Sequence, residues 1–201
     1  MRVSYPDADL HFQPSRLRED FDALADIGSI GDGGVHRPAF SEAHLEARGW
    51  FRQRVLAASP EFAMDGAGDH CGRLPCGPSG APTLVLGCHL DSEPHCGRFD
   101  GALVEKLGSH APQPLHPQVQ GSIRAAAQWL GLSCQDLASD AAHDAQMMAS
   151  VCPAGMIFVP MVDGFSHSHR EETAWEDCLL GAQTLLQAAL RMGWNRGPSP
   201  T

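Results

Sequence analysis

The sequence has few aromatic residues, few basic residues and no long apolar run. Aromatic side chains make up 6% of its 201 residues, with a single tyrosine. No window reaches the ~18 to 20 uncharged apolar residues that a membrane-spanning helix requires. The 14 lysines and arginines stand against 24 acidic residues, giving a net charge of −10. Because such a field repels nucleic-acid phosphates and anionic lipid, we expect no nucleic-acid or membrane partner.

Paired cysteine motifs and a secretory leader are also missing. The seven cysteines are odd in number, and the sequence contains no C-x-x-C pair. They therefore predict reduced thiols, with no disulfide framework and no zinc ribbon. The first twenty residues are interrupted by acidic side chains such as Asp7 and Asp9, and they hold no apolar stretch of signal-peptide type. A cytoplasmic location is the resulting expectation.

The apolar content is sufficient for a core, because 43% of the residues are hydrophobic and only 19% are charged. We predict one domain over residues 1–201. The spacing of apolar residues predicts helices, and two short apolar runs predict buried strands. The helices are expected over 15–27, 41–58, 123–132, 140–150 and 173–192, and the strands over 83–87 and 156–160. Residues 105–119 show little periodicity and predict a linker. The pattern indicates an α/β fold, with a mixed sheet flanked by helices.

Polar residues cluster directly after each predicted strand. His89 and Asp91 are two apart, so in an extended segment they lie on one side, where the carboxylate can orient the imidazole or share a cation. Asp100 follows after a glycine turn. The second cluster alternates similarly and consists of His167, His169 and Glu171. Such nitrogen and oxygen ligands suit Zn²⁺ or a similar divalent ion. Alternatively, surface or capping residues produce both patterns by chance in a chain with eleven histidines.

The first cluster resembles a known metal-binding motif. The sequence Gly-Cys-His-Leu-Asp-Ser-Glu-Pro-His-Cys-Gly-Arg-Phe-Asp-Gly-Ala over 87–102 is similar to that of dinuclear-metal amidohydrolases of hydantoinase/carbamoylase type. This family includes N-carbamoyl-L-amino acid amidohydrolases and allantoate amidohydrolases. The segments 34–41, 64–69, 143–146 and 164–167 resemble further family segments in the same order. The resemblance extends over about 15–104 and 120–192.

The resemblance implies a role for each matching residue. His89 would be a terminal ligand of one metal, Asp100 would bridge two metals, and His167 would bind the other. Asp91 would be the catalytic residue that orients His89. His143 and Glu171 would line the site. The family expectation is two ions, Zn²⁺ or alternatively Mn²⁺, Co²⁺ or Ni²⁺.

The sequence departs from the family pattern in its centre. The family's Glu-Glu pair, which supplies the general base and a ligand, is not found between Asp100 and His167. A histidine of the first metal site and the inserted lid and dimerisation domain are not found there either. All three would be expected near 105–119. Three nearby residues are possible substitute ligands: Glu93, His95 and His169.

These observations predict the remnant of a metallopeptidase-like catalytic domain without its lid. The expected function is metal-dependent hydrolysis of a linear amide or ureido substrate, with impaired or absent activity in this shortened chain. The alternative is a non-catalytic metal-binding or interaction protein derived from the same family. Without the family's dimer interface, we expect a monomer or an association of another kind.

Overall fold

The structure is a computed structural model, and it describes residues 13–31, 33–58, 61–66, 68–75, 80–92, 96–97, 113–139, 143–164 and 170–194. The chain divides into two compact units. The N-terminal unit comprises the described residues within 15–103 and 161–172, and the C-terminal unit comprises those within 1–14, 104–160 and 173–201. The single domain expected from the sequence stays a prediction.

Two helices begin the N-terminal unit: α1 (Pro14–Asp26) and α2 (Glu42–Ala58). An ion pair between Asp20 and Arg54, at 3.0 Å, joins them. After α1 the chain turns at Gly28, whose φ of +78° lies in the left-handed region that favours glycine. A Cβ at Gly28 would lie 2.8 Å from the carbonyl oxygen of His36, so this turn also needs glycine for its close approach. The predicted helices 15–27 and 41–58 are confirmed.

The strands of the N-terminal unit form two short antiparallel sheets. Strands β2 (Glu61–Met64) and β3 (His70–Arg73) make a hairpin that packs on α2, and β1 (Gly34–Val35) pairs with β4 (Cys96–Gly97). A 3-10 turn at Val162–Gly164 also belongs to this unit. The α/β class is confirmed, with short antiparallel ladders rather than one mixed sheet among the described residues.

Three helices make up the described core of the C-terminal unit: α3 (Pro117–Trp129), α4 (Asp144–Met148) and α5 (Trp175–Trp194). Helices α3 and α5 pack against each other. Their buried residues include small ones, which allow close approach of the two backbones: Ala126, Ala127, Ala188 and Ala189. The Arg191 guanidinium lies 5.9 Å from the centre of the Trp129 ring, which adds a cation–π contact between these helices.

Helix α3 begins earlier than the sequence predicts, within the segment expected to be a linker. His116 is its N-cap, and the His116 imidazole accepts a hydrogen bond from the Gln118 N–H at 3.3 Å. Pro117 occupies the first helical position, where its fixed φ favours helix formation. Helix α4 is shorter than the predicted 140–150, of which 140–142 lie outside the described residues.

The predictions of buried strands at 83–87 and 156–160 are wrong, because neither segment joins a ladder within the described residues. A strand is buried only when neighbouring segments cover it, and here Val85 is 70% exposed. Phe158 is also exposed. None of the described helices combines the length and the apolar character needed to cross a lipid bilayer.

Candidate functional site

His89 and Asp91 lie together, as their spacing predicts. The His89 Nδ1 atom is 3.2 Å from the Asp91 carbonyl oxygen and 3.6 Å from its carboxylate Oδ1. A carbonyl oxygen only accepts, so the 3.2 Å contact is a hydrogen bond when Nδ1 carries the proton, and the carboxylate at 3.6 Å lies beyond hydrogen-bond distance. The two side chains are 30% and 26% exposed, so the pair is half-buried.

This pair fits one part of a metal site. A histidine that binds metal through one nitrogen commonly donates its other N–H to a carboxylate or carbonyl. His89 has that arrangement, with Nε2 as the nitrogen for an ion. Among the described residues, no three His, Cys, Asp or Glu side chains are grouped closely enough to bind a metal by themselves. Asp100 and His167, the other predicted ligands, lie outside the described residues.

Arg37 and Ser92 connect the His89–Asp91 segment to the body of the N-terminal unit. The Arg37 N–H donates to Ser92 Oγ at 2.9 Å, and the Ser92 N–H donates to the Arg37 carbonyl at 2.9 Å. The Arg37 side chain adds a bond from Nε to the Leu90 carbonyl, at 2.5 Å. Its Nη1 donates to the carbonyls of Leu24 and Ile27 at the end of α1, both at 2.8 Å. We call these contacts the Arg37 clamp.

The clamp is buried: Arg37 is 6% exposed and Ser92 is 3% exposed. Burial lowers the pKa of Arg37, and the negative charge of Asp91 opposes that change. Sequence reasoning did not identify either residue. Their contacts join positions 55 apart in the chain, which local spacing does not reveal. The only signal was that Arg37 belongs to 34–41, a segment that resembles one of the family's segments.

A second group of basic side chains lies in the same unit. Arg48 donates through Nη2 to the Gly68 carbonyl in the β2–β3 turn. The same Nη2 lies 3.3 Å from His70 Nε2, which acts as the acceptor because a guanidinium only donates. Arg48 therefore attaches the hairpin to α2. Both Arg48 and Asp91 act electrostatically on His44, which lies on α2.

We expect His44 to titrate below its ordinary value of about 6.5. Burial lowers the pKa of His44, and Arg48 lowers it further against the opposing effect of Asp91. In addition, the Phe40 N–H donates to His44 Nδ1 at 2.8 Å, a bond that protonation of Nδ1 would break. A lowered pKa in the folded state means that the unfolded state binds more protons, so this contribution to stability is lost as the pH falls below about 6.5.

An NMR titration of the His44 ring protons measures this effect directly. The folded chain should give a midpoint below that of the same residue in urea, where it should titrate near 6.5. A folded midpoint equal to or above the urea value would contradict the prediction.

Of the remaining predicted site residues, the structure describes His143 and Glu171 and leaves the others outside the described ranges. His143, in the C-terminal unit, precedes α4 and its Nε2 lies 2.7 Å from Ser139 Oγ. Its ring also makes an edge contact with Phe158, with centroids 5.3 Å apart. Glu171 is half-buried in the N-terminal unit, beside Glu172, whose carbonyl accepts a 2.8 Å hydrogen bond from the Val162 N–H. Glu93, His95, Asp100, His167 and His169 lie outside the described residues.

Comparison with known proteins identifies the family. The model of the peptidase family M20/M25/M40 matches residues 7–191. Because this match extends over most of the sequence, the chain belongs to that family. The resemblance noted in the sequence is thereby confirmed.

Individual relatives match a smaller part. The N-carbamoyl-L-amino acid amidohydrolase of Geobacillus stearothermophilus is 42% identical over 82 residues, which is 41% of this chain and 20% of the relative. The corresponding enzyme of Rhizobium meliloti is 38% identical over 90 residues, which is 45% of this chain and 22% of the relative. The allantoate amidohydrolase of Bacillus subtilis (strain 168) is 30% identical over 93 residues, 46% of this chain and 23% of the relative.

One solved structure is similar over a comparable part. A crystal structure of a protein from Burkholderia cenocepacia has 45% sequence identity and a TM-score of 0.41, covering 44% of this chain and 22% of that chain. The chain therefore spans about a fifth of the length of the relatives that it matches, 20% to 23% in the cases given above.

Proposed function

We propose that this chain is a metal-dependent hydrolase of linear amides, acting on N-carbamoyl-L-amino acids or on allantoate. The observation that carries the proposal is the His89–Asp91 pair, whose geometry is that of an oriented metal ligand. Membership of the peptidase family M20/M25/M40 supports it, as do the two kinds of amidohydrolase named among the relatives.

In this proposal the protein supplies ligands and orientation. His89, Asp100 and His167 would hold the metal, with His89 binding through Nε2 while the Asp91 backbone carbonyl accepts a hydrogen bond from Nδ1. A divalent ion, when bound, polarises the substrate carbonyl and lowers the pKa of water. His143 and Glu171 are proposed to line the substrate site, and Glu93, His95 and His169 to substitute for ligands that the family pattern has and this sequence lacks.

We propose further that turnover by this chain is slow. No Glu-Glu pair stands between Asp100 and His167, so the general base of the family pattern has no counterpart there. Loss of a general base typically reduces the rate by about 10² to 10⁴-fold. A nearby carboxylate would replace the base only in part, because a general base must reach the attacking water within hydrogen-bond distance.

The test combines metal analysis with an assay. The purified chain is dialysed, its metal content per chain is measured by mass spectrometry, and release of ammonia from an N-carbamoyl-L-amino acid and from allantoate is followed. We expect bound metal and a chelator-sensitive turnover about 10² to 10⁴-fold below that of a full-length relative assayed in parallel. Asp100→Ala should abolish this turnover.

Each result has a distinct meaning. Close to two ions per chain would support substitute ligands that complete both metal sites. Bound metal without turnover would favour the non-catalytic metal-binding alternative. A metal content near zero, together with no turnover after addition of Zn²⁺ or Mn²⁺, would overturn the proposal.

A further inference from the structure

The Arg37 clamp holds the carbonyl of Leu90, the residue that lies between the two members of the His89–Asp91 pair. Leu90, whose carbonyl accepts the Arg37 Nε bond at 2.5 Å, separates His89 from Asp91. This carbonyl belongs to the peptide that joins Leu90 to Asp91, so the bond fixes the plane of that peptide and restricts the direction of the Asp91 backbone. Fixing the Leu90 carbonyl therefore restricts the approach of His89 Nδ1 to Asp91.

The anchor for this restraint is the end of helix α1. The last carbonyls of a helix have no partner within it and carry partial negative charge, which favours a cation. Arg37 Nη1 donates to the Leu24 carbonyl in the last turn of α1, which also accepts from the Ile27 N–H, and to the Ile27 carbonyl just after the helix. The guanidinium therefore connects the rigid end of a helix to a segment that has no ladder of its own in the described residues.

Arginine has a geometry for this connection that lysine lacks. Its donors are spread over a rigid planar fork, so Nε and Nη1 bind carbonyls of two different chain segments at once. A lysine ammonium is a single point of charge on a flexible stem and cannot span both segments in the same way. The backbone bonds between Arg37 and Ser92 complete the attachment on the other side of Asp91.

We propose that Arg37 is a positioning residue for the metal ligand His89. It acts by holding the Leu90 carbonyl against the end of α1, so that the imidazole stays oriented by Asp91. The inference rests on the proposed function insofar as His89 binds metal, and its structural part, the restraint on the His89 ring, is measurable without metal.

The test compares Arg37→Lys with Arg54→Lys. Arg54 belongs to the same unit and forms an exposed ion pair with Asp20, so it controls for loss of a guanidinium. Thermal unfolding first establishes that each full-length variant is folded. The ¹⁵N chemical shifts of the His89 ring are then recorded without metal, and Co²⁺ affinity is measured by titration calorimetry.

We expect Arg37→Lys to shift the His89 ring signals toward a mixture of tautomers and to weaken Co²⁺ binding about 10 to 100-fold, the usual effect of losing an outer-shell partner. Arg54→Lys should change neither. Unchanged His89 signals in a folded Arg37→Lys variant would overturn the inference. If the wild-type chain binds no Co²⁺, the proposed function fails, but the ring signals still decide the role of Arg37.

If Arg37→Lys does not fold, a measurement on the wild-type chain tests the inference instead. Addition of Zn²⁺ should move the Arg37 Nε–H signal, because Nε bonds to the carbonyl of Leu90, the residue next to His89, and should leave the Arg54 signal in place. An Arg37 signal unmoved by bound Zn²⁺ would contradict the inference.

Discussion

Replacement of His89 by alanine should weaken metal binding more than any change at Asp91. His89→Ala removes a nitrogen ligand outright. Asp91→Asn removes only the carboxylate charge, and the Asp91 backbone carbonyl, at 3.2 Å from Nδ1, still holds the imidazole. We expect a loss of about 10 to 100-fold in metal affinity for Asp91→Asn and a larger loss for His89→Ala.

Calorimetric titration with Co²⁺ or Zn²⁺ measures both effects. His116→Asn is a matched control, since it also removes one imidazole but supplies an asparagine, which is a favoured N-cap residue, at the start of α3. The control should bind metal as the wild-type chain does. Equal affinities for His89→Ala and the wild type would remove His89 from the metal site.

The second large effect is expected at Gly155, in the C-terminal unit. A Cβ at this position would overlap Val119 Cγ1 and lie 3.3 Å from Ile123 Cδ1, both on helix α3. Neither approach is possible without movement, and a valine in a helix has essentially one favoured rotamer. Gly155→Ala should therefore lower the free energy of unfolding by about 1 to 3 kcal/mol, as overpacking of a well-packed site does.

Gly121→Ala is the control for this substitution. Gly121 lies in the interior of α3, and a Cβ there meets no atom within 4 Å. The helix propensity of alanine should raise stability at this position by about 0.5 to 1 kcal/mol. Urea unfolding followed by circular dichroism gives both values. If the Gly155→Ala chain is as stable as the wild type, the chain at Gly155 is not packed on α3 as the structure shows.

The helices were predictable because their signals are local. Apolar spacing over 15–27 and 173–192 corresponds closely to the observed α1 and α5. The strands were not predictable. An apolar run indicates only that its side chains favour burial, whereas strand pairing depends on segments that are remote in the sequence. Thus 83–87 has strand composition, yet Leu84 and Val85 are exposed in the structure.

In the candidate site, too, the local contact was predictable from the sequence and the remote contacts were not. Two-residue periodicity predicted that His89 and Asp91 lie side by side, and they do. The Arg37 clamp was not predictable, because its bonds join positions 53 and 55 apart in the chain, and because the sequence does not show which carbonyls at the end of α1 need a donor. The roles of Asp100 and His167 remain predictions from the family resemblance.

Sharing one guanidinium makes the end of α1 and the His89 segment a single cooperative unit of local unfolding. Opening either partner removes part of the acceptor set of the buried Arg37 charge, so fraying of the helix and release of the His89 segment are expected together. A ligand that binds only the closed form at His89 would then slow amide hydrogen exchange near Leu24 and Ile27, residues that it never touches.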